Sequence, residues 1–146
     1  MIITPLLKLA TEKQASDLFF SVGAPVNIKI EGVVMPVNAQ KLDGEMIKRI
    51  AYELMGPTRT SRFETDMEMN FSLRVEDTGN FRINVFRQRG SISCVIRCIR
   101  THVLPAEQLN LPDIVNKLIM EKRGLVLVVG STGSGKSTTL ASMIQH

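Results

Sequence analysis

The 146-residue chain is 44% apolar and 22% charged, enough for a packed core and unlike a disordered or low-complexity polypeptide. Its net charge of +4, from 18 basic and 14 acidic residues, is too small an excess to mark a nucleic-acid binder, and no direct nucleic-acid partner is expected. The amino-terminal run MIITPLLKLATEKQ is too short in apolar residues to span a bilayer and lacks a signal-peptide pattern, so the expected location is cytoplasmic.

Thr4 with Pro5 predicts a helix start, and Leu6, Leu7 and Ala10 an apolar face running to about residue 15. Residues 17–22 read as a strand, Gly23-Ala24-Pro25 as a turn, and 26–30 as a second strand. Glu31-Gly32 is a tight hairpin connection into a third strand, 33–37. Pro36 places that strand at an edge or near its end. Asp43 can cap a helix over 44–55, whose Ile47, Ile50, Ala51 and Leu54 recur at helical spacing. Gly56-Pro57 stops it, and a shorter helix follows over 58–64.

A three-stranded meander is then expected over 67–75, 81–87 and 91–100. Met67, Met69, Phe71, Leu73 and Val75 share one face of its first strand, and Phe81, Ile83 and Val85 one face of its second. Residues 1–100 thus form an α+β domain with a mainly antiparallel sheet. Leu104-Pro105 and Leu111-Pro112 bracket a linker over 101–112, with a helical turn at 106–109. A second domain opens in 113–146 with a helix over 113–122 that ends at Gly124. The branched aliphatic run 125–129 is the pattern of a strand buried on both faces of a parallel sheet.

Cys94 and Cys98 share a face of one strand but stand about 13 Å apart, at roughly 3.3 Å of rise per residue. That excludes a disulfide between them, and buried thiols in a reducing compartment are expected. Arg82, Arg87, Arg89, Arg97 and Arg100 crowd into nineteen residues. They are either the solvated face of a sheet or a cluster aimed at phosphate.

Gly130-Ser131-Thr132-Gly133-Ser134-Gly135-Lys136-Ser137 fits G-x-x-x-x-G-K-[ST] at every position. Average residue frequencies put that pattern in roughly 0.5% of chains this long by chance, so the match carries weight. Its glycines allow backbone conformations closed to residues with a Cβ, and successive N–H groups can then converge on phosphate oxygens. A helix over 136–145 adds its free amides and the positive end of its dipole. Lys136 is expected to reach the β- and γ-phosphates of ATP, Ser137 to ligate Mg²⁺, and Thr138 to meet the α-phosphate. Phosphoryl transfer also needs an acidic residue that helps hold the metal and a group that orients water. In P-loop folds that acid lies on a later strand, so the chain is expected to be a fragment of a larger ATPase and inert in turnover.

The order of Ala15-Ser16-Asp17-Leu18-Phe19, Phe81-Arg82-Ile83-Asn84-Val85-Phe86, Lys122-Arg123-Gly124-Leu125-Val126 and 130–139 resembles the type II secretion/type IV pilus ATPases, in particular the PilT/PilU retraction ATPases of twitching motility. Asn70-Phe71, Leu111-Pro112-Asp113-Ile114 and Met35-Pro36-Val37 lean toward the PilU branch. The resemblance spans essentially the whole chain. It implies a PAS-like amino-terminal domain linked to a RecA-like ATPase domain. It also implies a hexameric homo-oligomer that works peripherally at the inner-membrane platform of the pilus, with a possible PilT-like partner. In that family, amino-terminal arginines contact nucleotide phosphates, and Arg82 and Arg97 match those positions. Arg87, Arg89 and Arg100 are left as surface or interface charges.

The Asp box, Walker B motif and His box of the family are absent, and neither His102 nor His146 matches the last. Two other readings stay open. One is a secretion or pilus-assembly ATPase of the same superfamily, which a downstream four-cysteine metal site would mark. The other is a non-hydrolysing module acting with a partner ATPase.

Overall fold

A computed structural model describes residues 3–99 and 103–145, and the chain divides into two compact units, Met1–Arg100 and Thr101–His146. Helix α1 (Thr4–Glu12) buries Leu7 and Ala10. Ile3, not Thr4, stands at its amino-terminal cap and makes no side-chain bond, because Thr4 already lies within the helix. The helix also ends three residues before the expected position. Gln14 turns left-handed (φ 53°), the Gln14 amide donates to the Thr11 carbonyl (3.0 Å), and the Ala15 amide donates to the Ala10 carbonyl (2.8 Å). These two bonds are the Schellman closure, which satisfies the last carbonyls and turns the chain toward the sheet.

Strands β1 (Asp17–Phe20), β2 (Pro25–Ile30), β3 (Val33–Lys41), β4 (Glu68–Val75), β5 (Gly79–Gln88) and β6 (Ser91–Ile99) form one sheet in the order β3-β2-β1-β6-β5-β4. Every pairing is antiparallel. Two meanders are therefore joined through β1 and β6. Glu31 and Gly32 both take positive φ at the β2–β3 turn, as a two-residue hairpin requires. Strand β3 is an edge strand, as Pro36 implies, but it runs on to Lys41 past an irregularity in its pairing with β2.

Helix α2 (Gly44–Asp66) is capped by Asp43, whose Oδ1 accepts from the Met46 amide at 2.7 Å. At Gly56 the backbone leaves helical geometry (φ 68°, ψ 172°), and Pro57 starts a second limb. Ile47, Ile50, Ala51, Leu54 and Met55 of the first limb and Phe63 of the second are buried. Met67, expected on the inner face of β4, is instead the left-handed cap of α2 (φ 62°) and is exposed. From Met69 onward β4 alternates as expected.

The period-two pattern sends Leu18, Phe20, Val26, Ile28, Phe81, Ile83, Val85, Ile92, Cys94 and Ile96 into the core with the buried residues of α1 and α2. Cys94 and Cys98 are free thiols, as expected. Burial pushes the Cys94 thiol up to about 12. Burial, with the nearby charge of Asp17, pushes Cys98 up to about 11.

The second unit holds a turn of successive short-range bonds from Pro105 to Leu111, then α3 (Ile114–Ile119) and α4 (Lys136–Gln145). Helix α3 is shorter than expected. Its end tightens into three-residue bonds, Met120 amide to Lys117 carbonyl and Glu121 amide to Leu118 carbonyl, both 3.3 Å. The expected strand over 125–129 is not formed. Leu125, Leu127 and Val129 are 83%, 73% and 84% exposed, and no strand of the described residues in this unit offers a ladder to pair with. A strand exists only through a neighbour's N–H and C=O groups, so an aliphatic run alone cannot make one.

Candidate phosphate-binding loop and arginine face

The segment 130–137 runs into α4, whose first two residues are Lys136 and Ser137, and is open to solvent, with Lys136 half-buried. Gly130, Gly133 and Gly135 take φ of 157°, 82° and 90°, so the glycine spacing answers a backbone need. A Cβ on Gly130 would stand 2.7 Å from the Ser134 hydroxyl oxygen, so a side chain there would fill the hollow of the loop. The Ser131 carbonyl closes the loop from within. It accepts from the Ser134 amide at 3.3 Å and from the Lys136 ammonium at 2.5 Å. The Thr139 amide donates to the Gly135 carbonyl at 2.9 Å, which is the first bond of α4.

The amides of Lys136, Ser137 and Thr138 precede that bond and have no partner within the helix. Amides at a helix start, an ammonium ion over the loop and a hollow that a Cβ would occupy make a set of donors suited to a phosphate group. Ser137 and Thr138 present exposed hydroxyls on the first turn. No group of three or more His, Cys, Asp or Glu able to hold a metal occurs among the described residues. Ser137 would offer a hydroxyl oxygen to a Mg²⁺ ion, which would offset phosphate charge.

The arginine cluster splits in two. Arg82 in β5 and Arg97 in β6 stand directly opposite one another on the sheet face away from the core, and both are exposed. Arg97 is in turn opposite Asp17 of β1, and its Nε donates to Asp17 Oδ1 at 3.1 Å. Arg87 points to the other side. It pairs with Glu64 of α2 at 2.7 Å and lies 5.7 Å from the centre of the Phe63 ring. The Tyr52 hydroxyl donates to the same Glu64 carboxylate, so one carboxylate ties both limbs of α2 to β5. That hydrogen bond, and then the Arg87 charge, hold Glu64 below the usual carboxylate range.

Arg89 sits in the β5–β6 hairpin with φ 49°. Arg100, His102 and His146 lie outside the described residues. Sequence reasoning missed Asp17 and the Tyr52–Glu64–Arg87 group. Asp17 had a signal, being a carboxylate opening an otherwise apolar strand, but its partner is 80 positions away.

The model of the family described as type II/IV secretion system protein matches residues 1–146. The chain belongs to this family. Among type II/IV secretion proteins, it is 42% identical over 141 residues to the type IV pilus ATPase PilU of Pseudomonas aeruginosa, covering 97% of this chain and 37% of that protein. It is 38% identical over 146 residues to the pilus retraction ATPase PilT of the same organism, covering 100% of this chain and 42% of that one. The crystal structure of the pilus retraction motor PilT with bound ADP superposes with a TM-score of 0.83 at 37% identity, over 96% of this chain and 41% of that one. The PilT/PilU-like resemblance read from the residues is borne out, and the chain spans about two-fifths of the length of these relatives. Among the described residues, no helix is long and apolar enough to cross a membrane.

Proposed function

We propose that this chain is the ATP-binding amino-terminal part of a hexameric motor ATPase that powers type IV pilus retraction and twitching motility. The observation that carries the reading is the solvent-open loop 130–137 at the start of α4, in a chain that matches pilus ATPases along its whole length. On this reading, residues 1–100 are a PAS-like domain, 101–112 a linker and 113–146 the opening of a RecA-like ATPase domain. ATP supplies the phosphoanhydride whose hydrolysis drives movement, and Mg²⁺ offsets its charge.

The protein's residues bind and orient. Loop amides and the Lys136 ammonium would hold the β- and γ-phosphates, the Thr138 hydroxyl would reach the α-phosphate, and Ser137 would hold the metal. Arg82 and Arg97 concentrate positive charge on one sheet face, suited to stabilising the transferring phosphate as arginine fingers do. The acidic metal partner and the water-orienting group are not among these residues, so the chain by itself binds without turning over. The whole protein works at the cytoplasmic side of the inner-membrane pilus platform, with a PilT-like ATPase as a possible partner.

The test is Mg²⁺-dependent ATP hydrolysis by the full-length hexamer, alone and with a PilT-like partner, beside this chain alone. Hydrolysis is expected from the full-length protein and not from the chain. Arg82→Ala in the full-length protein should lower the rate strongly with little change in melting temperature. An unchanged rate would remove Arg82 from the site, and robust turnover by the 146-residue chain would overturn the division of labour.

A further inference from the structure

We propose that Asp17 is a positioning residue for Arg97. It holds the guanidinium by Nε and leaves the two terminal nitrogens turned outward for phosphate. The inference rests on the reading of Arg97 given above.

Arg82 and Arg97 are directly opposite on adjacent antiparallel strands, where like charges repel and side chains push apart. Each guanidinium therefore gains from a carboxylate that offsets the repulsion, and Arg97 is the one that has it. Asp17 occupies the next place in the same cross-strand row. Its carboxylate is only 10% exposed, whereas the Arg97 side chain is 69% exposed. A buried acceptor thus meets an exposed cation at its Nε.

The backbone beneath Asp17 is pinned on both sides. The adjoining Ser16 amide donates to the Lys29 carbonyl of β2 at 2.8 Å, and the Cys98 amide of β6 donates to the Ser16 carbonyl at 2.9 Å. A guanidinium carries five N–H donors, and Asp17 engages the one on Nε. Among the described residues, neither Nη of Arg97 has a hydrogen-bond partner, and Arg82 has no hydrogen bond or ion pair at all. The free edge of Arg97 is the fork that pairs with phosphate oxygens. Holding it reduces the side-chain entropy lost when that pairing forms.

The test is a double-mutant cycle in the full-length protein, reading kcat and KM for MgATP separately, with melting temperature beside them. Asp17→Ala should lower kcat roughly fivefold to tenfold, the scale of one oriented hydrogen bond, with KM moved less. In an Arg97→Ala background the same change should have no further effect beyond about twofold. Asp17→Asn, whose amide oxygen still accepts from Nε, should recover part of the loss and also serves if Asp17→Ala folds poorly.

Equal losses with and without Arg97 would make Asp17 a structural residue and overturn the proposal. So would a rise in rate on removing Asp17, which would mean the carboxylate opposes phosphate instead of aiding its capture. If Arg97→Ala leaves hydrolysis intact, the site assignment fails and the inference falls with it. If only the Arg97 change lowers the rate, the inference alone fails.

Discussion

Replacing Lys136 by alanine tests the loop at the group whose chemistry is least replaceable. In the structure its ammonium makes one hydrogen bond, to the Ser131 carbonyl at 2.5 Å, a neutral acceptor within the same loop. The fold should depend little on that bond, because it is solvent-exposed and its acceptor is also held by the Ser134 amide. We expect a stability change below about 1 kcal/mol, the scale of one exposed hydrogen bond. Binding is different, since phosphate would replace the carbonyl with a charged acceptor. Hydrogen bonds to charged groups are worth about 1.5–3 kcal/mol, which converts to a loss of roughly 10-fold to 150-fold in ATP affinity. A fluorescent ATP analogue titrated into this chain and its Lys136→Ala variant measures the difference. The gap should narrow as salt rises, since the loop is open to solvent. Adenosine without phosphates should not distinguish the two proteins. ATP affinity within about twofold of the parent, at low salt and with unchanged melting, would refute a phosphate role for the loop.

Gly130→Ala should weaken ATP binding up to roughly tenfold by forcing the Ser134 hydroxyl off its rotamer. A second change, Ser134→Ala, should recover part of this, since the next atom a Gly130 Cβ meets is 3.6 Å away, an ordinary contact. No recovery would mean that backbone strain, not the hydroxyl, sets the cost. Glu64 carries a depressed pKa, so its stabilisation is present above the ordinary 4.5 and is lost as pH falls through its lower folded value. The stability gap between the parent and Glu64→Gln, measured by urea unfolding, should therefore be full near neutral pH and shrink in acid; a gap constant with pH would discount the preference of the Tyr52 and Arg87 bonds for the charged carboxylate. Cys94, buried and raised to about 12, should resist iodoacetamide near pH 8 in the native state and react once unfolded. Its stabilising preference for the neutral thiol is whole below the ordinary 9.0 and is lost as pH rises toward about 12, and rapid native labelling would contradict its burial.

Much of the first unit was legible because its signals are local. Asp43 three residues before the Met46 amide, Gly56 before Pro57, and Phe81, Ile83 and Val85 in alternation each act through neighbours in the chain. The loop over 130–137 was legible for the same reason, since its glycines and helix start are consecutive. Local propensity also misled where two outcomes compete. Thr4 could cap or enter α1, and Met67 could begin β4 or end α2, and in each case the choice went against the simplest pattern. The aliphatic run at 125–129 shows the limit, because β-structure needs a partner that composition does not supply.

The sequence by itself determined where the glycine-rich loop and its helix start fall, because that pattern is written in one contiguous stretch. Only the tertiary structure decided what becomes of Arg82, Arg87 and Arg97, three of the five arginines crowded into nineteen positions. Strand parity turned Arg87 toward Glu64 and left Arg82 and Arg97 on the open face. The β1–β6 pairing then set Asp17 against Arg97 across 80 positions. Charge alone could not sort them, since a guanidinium's role depends on which carboxylate lies within about 3 Å of it, and sheet register fixes that distance.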